Sequence, residues 1–289
     1  MGGRTEMDSR NAKRRRSRRK RRKQLMRRGC VVMLLLLCVL MVGRAKVKQE
    51  RELRVNAFGS GRVEQELLKK YKHKKGIQTI VKHLDEYPED VIELLRKNEE
   101  TYDFVRNYLK DHKNIKSKQL KKRKNNEIPM LQQWDQAWGY DSYGNNIIAI
   151  NGCGPTCLSM VAIGLLNDED LTPNYIAGFS EENSFYQEGV GTKWDLMTQG
   201  ASMLGLKSTK LSLDEAKIKE ELEQKHPIIA TVRAGDFTTK GHFIVIVKSV
   251  EKDKVIVYDP NSIANSKKKW KLSKVLEQVK NLWAFEKAN

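Results

Sequence analysis

Apolar positions along this chain change rhythm three times. After a polar opening, residues 30–42 run without a polar side chain, Cys-Val-Val-Met-Leu-Leu-Leu-Leu-Cys-Val-Leu-Met-Val, between Gly29 and Gly43. From residue 44 to 126 apolar side chains return only at helical spacing. Val63, Leu67, Leu68 and Tyr71 form one stripe and Ile77, Ile80, Val81 and Leu84 a second; Val91, Ile92, Leu94 and Leu95 follow Pro88, and Tyr102, Phe104, Val105 and Tyr108 complete a fourth. Apolar residues three and four apart with charge between them predict short amphipathic helices. They are read as a helical stalk, or a preface like a pro-region, over residues 44–126, ending in the lysine-rich linker 116–126.

From residue 127 the rhythm changes again. Runs 228–232, 242–247 and 254–258 are continuous or alternating apolar segments of strand length, bounded by turn residues. Before them come helical patterns: one from Cys153, one capped by Thr192 with the apolar face Leu196, Met197, Ala201 and Leu204 and a stop at Gly205, and one after Ser212 that ends before Pro227. A last helix near 273–279 and a short strand at 283–285 close the chain. Helices first and antiparallel strands later predict an α+β domain over 127–289. All five Trp and 12 of the 19 Gly lie in it, and about 160 residues suffice for one core.

Charge divides the chain the same way. Residues 1–28 carry fourteen Lys and Arg against Glu6 and Asp8, so a tail supplies +12 of the net +19. The thirteen-residue apolar run at 30–42 is short for a bilayer-spanning helix, which takes roughly 18–20 residues, and its length also suits a cleaved signal. With no good cleavage site after it, residues 29–43 are read as an uncleaved signal anchor, a single transmembrane pass. The basic residues before it set the tail 1–28 on the inner leaflet and the rest outside the cell membrane. Next to an apolar run, that tail points to topology and lipid contact, and no nucleic acid is expected as a partner.

Cys30 and Cys38 belong to the apolar run, which leaves Cys153 and Cys157 for the domain. In Gly152-Cys153-Gly154-Pro155, the proline suits a first helical turn, and the cysteine would stand at the positive end of a helix dipole. That location favours thiolate, the form that attacks carbonyl carbon. Gly152 and Gly154 would leave room for a substrate backbone. Cys157, one turn on, suits packing; the CxxxC spacing is neither a thioredoxin-type CxxC nor a metal-ligand pattern, so no metal and no cofactor are expected. A structural role for Cys153 is the plainer alternative.

Of five histidines, only His242, after Gly241, enters a strand; His73, His83 and His112 lie among the amphipathic stripes and His226 precedes Pro227. Asp259, at the end of the next strand run, is the natural group to orient its imidazole. An acyl-transfer site also needs an oxyanion donor, and Gln132, Gln133 and Gln136 are all available upstream.

Taken together, Gly-Cys-Gly-Pro-Thr-Cys-Leu-Ser-Met-Val, Gly-Thr-Lys-Trp, Gly-His-Phe-Ile-Val-Ile and Val-Tyr-Asp-Pro-Asn, in that order, resemble the bacterial C39-like family of papain-like cysteine peptidases. The resemblance covers roughly 128–285. It implies a papain-like fold with Cys153 as nucleophile, His242 as base and acid, and Asp259 as orienter. Gln133 becomes the preferred oxyanion donor with Gln136 in reserve, although better-known members carry this glutamine nearer the cysteine. Gly152, Gly154, Trp194 and Gly241 would then line the substrate path. The implied partner is a peptide or protein substrate, cell-wall peptides included; a catalytically silent binding module and a cell-wall amidase or acyl transferase are the alternatives.

Overall fold

The computed structural model describes Met41, residues 60–110, 116, 117, 120, 124 and 126–288, in two compact units that divide between Lys72 and His73. The basic tail and, apart from Met41, the apolar run lie outside the described residues. Among the described residues no helix is long and apolar enough to cross a membrane.

In the first unit, α1 (Ser60–Lys70) carries Val63, Leu67 and Leu68 of the first predicted stripe, with Tyr71 just past its end, and ends on Lys69 and Lys70, which complement the negative end of its dipole. The second unit opens with α2 (Ile77–Lys82), α3 (Glu89–Lys97), a 3₁₀ turn at Glu99–Thr101 and α4 (Tyr102–Asn107). A hairpin, β1 (Ser142–Tyr143) and β2 (Asn146–Ile147), leads into α5 (Ile148–Asn151), α6 (Cys153–Leu166) and α7 (Pro173–Glu182). A second hairpin, β3 (Tyr186–Gln187) and β4 (Gly191–Thr192), precedes a 3₁₀ turn at Trp194–Met197, α8 (Gln199–Met203), β5 (Leu206–Lys210) and α9 (Glu215–Glu223). Then come β6 (Ile228–Val232), β7 (His242–Glu251), β8 (Lys254–Tyr258), α10 (Ile263–Ser266), β9 (Lys269–Lys271), α11 (Leu272–Leu276) and β10 (Val279–Lys287).

The result is the expected α+β architecture. Six strands in the order β5-β10-β6-β7-β8-β9 pair antiparallel throughout. All five residues of β6 are buried, because a strand central in a sheet covered on both sides has no solvent face. Alternate residues divide between two apolar layers. Ile229, Phe243, Val245, Trp283 and Phe285 join the layer that contains α6, whereas Ile228, Ala230, Ile244 and Leu282 meet Ile218 and Leu222 of α9 and Val275 of α11. Helix α6 is buried from Gly154 to Gly164, as a helix apolar all round must be. It stops at Asn167, whose φ of 56° is the left-handed conformation that asparagine tolerates.

Several local readings change. Thr192 caps no helix; it lies in β4, and the helix expected there is divided into the 3₁₀ turn and α8. The stop at Gly205 stands, with φ at +86°. Helix α9 is capped by Asp214, whose carboxylate accepts from Ala216 N and Lys217 N, and not by Ser212. The strand at 283–285 is the middle of the longer β10.

The larger difference concerns the stalk. Helices α2–α4 share a compact unit with the sheet and do not stand apart from it. The Phe104 ring stacks on Tyr140 at 4.2 Å, and Tyr140 OH donates to Phe104 O at 2.8 Å. Asn107 Nδ2 donates to Gln136 Oε1 at 3.1 Å, and Asn146 Nδ2 to Asp90 Oδ2 at 2.6 Å. Periodicity identified these helices as amphipathic but does not say what their apolar faces meet.

Candidate active site

Cys153 is the first residue of α6, half-buried, with the helix dipole directed at it. Burial alone would raise its thiol; the hydrogen bond and charge of His242, with the backbone N–H groups of Phe243 and Gly154, reverse this and hold it below the ordinary value. Cys157 shows the opposite outcome four residues on. It is fully buried in the apolar layer, and burial first, then the charges of Cys153 and Asp259, push its thiol well up. The surroundings thus act on the two thiols in opposite directions, and Cys157 packs in the apolar layer.

His242 opens β7 opposite Val232 of β6 and is buried. Its Nε2 lies 2.8 Å from Asp259 Oδ1, which leaves Nδ1 for the Cys153 thiol. Burial would depress the imidazole, but the hydrogen bonds and charges of Asp259 and Cys153 outweigh it and raise the group to about 10. Both shifts act in the direction of the charged forms, thiolate and imidazolium.

Asp259 follows the last residue of β8 and is 1% exposed. Such a buried carboxylate must find donors. Oδ1 accepts also from Asn261 N at 2.9 Å, and Oδ2 from Asn265 Nδ2 at 2.9 Å; its own N–H donates to Ser266 Oγ at 2.9 Å. Sequence reasoning missed Asn265 and Ser266. The Asp-Pro-Asn turn signals Asn261 alone, because α10 is too short to announce itself.

The three glutamines separate clearly. Gln136 is engaged with Asn107 of α4, and Gln132 Nε2 reaches Asp259 O at 3.4 Å. Gln133 Nε2 donates to Ala149 O at 2.8 Å and is 3.5 Å from Ile150 O, in the segment that leads into Cys153. Ala149 O fixes which end of that amide is nitrogen, since a reversed amide would set two oxygens together. Those carbonyls precede Cys153 by four and three residues, and Gln133 Oε1 is buried without a partner among the described residues.

The glycines have a reason other than the one expected. A Cβ on Gly152 would meet Ile148 O at 2.6 Å, and one on Gly154 would meet Thr192 Cγ2 at 2.7 Å and Oγ1 at 2.8 Å. Neither faces open space; they allow α5, α6 and β4 to approach. Gly241 has nothing within 4 Å of its Cβ direction, and Trp194 is half-exposed with its ring 6.3 Å from that of Trp283. Behind Cys153, Tyr143 OH bonds Ser180 Oγ and Thr192 Oγ1, each at 2.9 Å, and burial is the main cause that pushes this phenol up to about 12. It stays protonated and fixes the Thr192 side chain against Gly154. Gly154→Ala is accordingly expected to destabilise the fold by about 1–3 kcal/mol of overpacking, less the ~1 kcal/mol that alanine recovers in a helix. A fall in the urea midpoint checks this; an unchanged midpoint would mean that Thr192 yields freely.

Among the described residues no three His, Cys, Asp or Glu side chains are grouped to hold a metal ion. Comparison with known proteins returned a solved structure, the peptidase domain of Streptococcus ComA, described as a bi-functional ABC transporter involved in a quorum sensing pathway. It is 20% identical, with a TM-score of 0.37, over 48% of this chain and 93% of that domain. No curated protein matches. Residues 125–287 match the model of the Peptidase_C39 like family, which is more than half the chain and includes Cys153, His242, Asp259 and Gln133. The protein belongs to the Peptidase_C39 like family.

Proposed function

We propose that the protein is a membrane-anchored, extracytoplasmic cysteine peptidase that hydrolyses peptide or related amide bonds through Cys153, His242 and Asp259. The observation that carries this reading is the shared proton: a Cys153 thiol held low by an imidazole whose other nitrogen is 2.8 Å from a buried carboxylate. In the first half-reaction the Cys153 thiolate adds to the substrate carbonyl, and the oxyanion takes hydrogen bonds from the Cys153 N–H and Gln133 Nε2. Collapse breaks the C–N bond, and the His242 imidazolium gives its proton to the departing amine. Neutral His242 then accepts a proton from water, whose oxygen attacks the thioester and releases the acid and the thiolate. Asp259 holds the ring so that Nδ1 serves both steps.

Gly241 and Trp194 are proposed to border the substrate path. The basic residues ahead of the apolar run support an inner-leaflet tail and an outer domain, so peptides outside the membrane, cell-wall peptides included, are the proposed substrates. Mass spectrometry of a peptide library and of peptidoglycan fragments, each incubated with the full chain or with Cys153→Ala, tests this. Cleaved products that require Cys153 are expected; their absence from both substrate sets would refute the hydrolase reading.

A further inference from the structure

The segment that carries Asp259 is fastened from the other end of the second unit. Asn261 N and Asn265 Nδ2 supply two of the donors that fix the Asp259 carboxylate. Between them, Ile263 N donates to Glu100 Oε2 and Ala264 N to Glu100 Oε1, both at 2.8 Å, across more than 160 residues of chain. Asn98 Nδ2 donates to Asn261 O at 2.6 Å, and Trp134 Nε1 donates to the same oxygen at 3.1 Å. Asn98 Oδ1 also accepts from Glu100 N at 3.0 Å, so the two residues form one brace. A carboxylate with each oxygen on a separate backbone N–H is a charge-assisted, directional contact that fixes position as well as contributing energy.

We infer that Asn98 and Glu100 are positioning residues for the thiol site, bracing residues 261–264 so that Asp259 presents Oδ1 to His242. The inference rests on the hydrolase reading above and gives the turn before the family match a role in the same chemistry, bracing the segment that follows Asp259. Misplacing a reacting group by about 1 Å costs on the order of a hundredfold in rate. A brace acting through Asp259 and His242 transmits part of that.

The test uses the full chain and the rate of Cys153 alkylation by iodoacetamide across pH. The titratable groups about the thiol are His242, Asp259, Cys157 and Tyr143, and every variant retains them. Glu100→Ala is expected to slow alkylation at pH 6 by roughly tenfold or more and to move its rise toward the ordinary thiol range. Glu100→Gln, which keeps one acceptor oxygen, should recover part of the loss, and Asn98→Ala should move the profile in the same direction. Glu93→Ala is the control, because among the described residues it pairs within α3, with Arg96 at 2.7 Å and Lys97 at 3.0 Å, and its profile should match wild type. Thermal melting identifies folded variants; if Glu100→Ala does not fold, Glu100→Gln and Asn98→Ala carry the comparison.

Wild-type profiles in the Glu100 and Asn98 variants would overturn the inference, as would an equal shift in Glu93→Ala. If wild-type reactivity depends on His242 but not on the brace, the inference alone fails. If wild-type Cys153 reacts like a free thiol, or independently of His242, the hydrolase reading fails and takes the inference with it.

Discussion

His242→Ala is expected to cut Cys153-dependent hydrolysis by on the order of 10³–10⁴-fold, or about 4–5.5 kcal/mol of transition-state stabilisation. Three contributions disappear together. The imidazolium no longer lowers the thiol, and burial, the largest influence on Cys153, then acts in the direction of the neutral form. The base that bonds the attacking sulfur is gone, and so is the acid that protonates the leaving amine. Because these steps share one group, Cys153→Ala combined with His242→Ala should lose little more than Cys153→Ala alone. The measurement is kcat/KM on a peptide found by the library screen. A His242→Ala enzyme within tenfold of wild type would mean that another group moves the proton.

The second large effect is on pH dependence. The Cys153 thiolate appears as pH rises through a value held below the thiol's ordinary 9.0, and the His242 imidazolium is lost as pH rises through about 10. Between the two the site holds both ions, so kcat/KM should be bell-shaped with its acid limb in the range where an isolated thiol is still protonated. Asp259→Ala removes the strongest influence that raises His242, and burial then favours neutral imidazole. The basic limb should move down and the acid limb up, a narrowing from both sides, with alkylation at pH 6 slower by roughly a hundredfold. A profile superposable on wild type would show that Asp259 does not govern the ring. Cys157 supplies an internal control, since its buried, raised thiol should itself stay unlabelled in folded Cys153→Ala.

The sequence was most informative where one signal sufficed. Runs 228–232 and 254–258 match β6 and β8 in extent because continuous or alternating apolar residues have few other uses at strand length. Pro155 and the helical spacing of Leu158, Val161, Ala162 and Leu165 place Cys153 at the start of a helix, where it stands. Strands β5 and β9 escaped notice because they are edges: Leu-Lys-Ser-Thr-Lys and Lys-Trp-Lys show the lysines that protect an edge from pairing, not a buried pattern. The break between the 3₁₀ turn and α8 has no propensity signal, as Thr192 is drawn into the Tyr143 network by packing. Gln133 could be narrowed but not positioned, because its distance to Cys153 is a property of the fold. Asn98 and Glu100 left no trace at all. Their partners lie more than 160 residues away, and a polar residue in a short turn reads as solvent-facing.

The stack of Phe104 on Tyr140 shows that the segment recognisable as a family member and the segment that folds together have different edges. A Cβ on Gly139 would meet the Phe104 ring at 2.8 Å, so this stretch of the domain is shaped around a residue that precedes the match at 125. A protein shortened to the matched span keeps the thiol, the imidazole and the carboxylate, but it uncovers the Tyr140 ring and deprives Ile263 N and Ala264 N of their acceptor. Poor solubility of such a fragment would therefore describe where the chain was cut, not the quality of its fold. Expression boundaries for this protein belong at or before His73, where the compact unit begins.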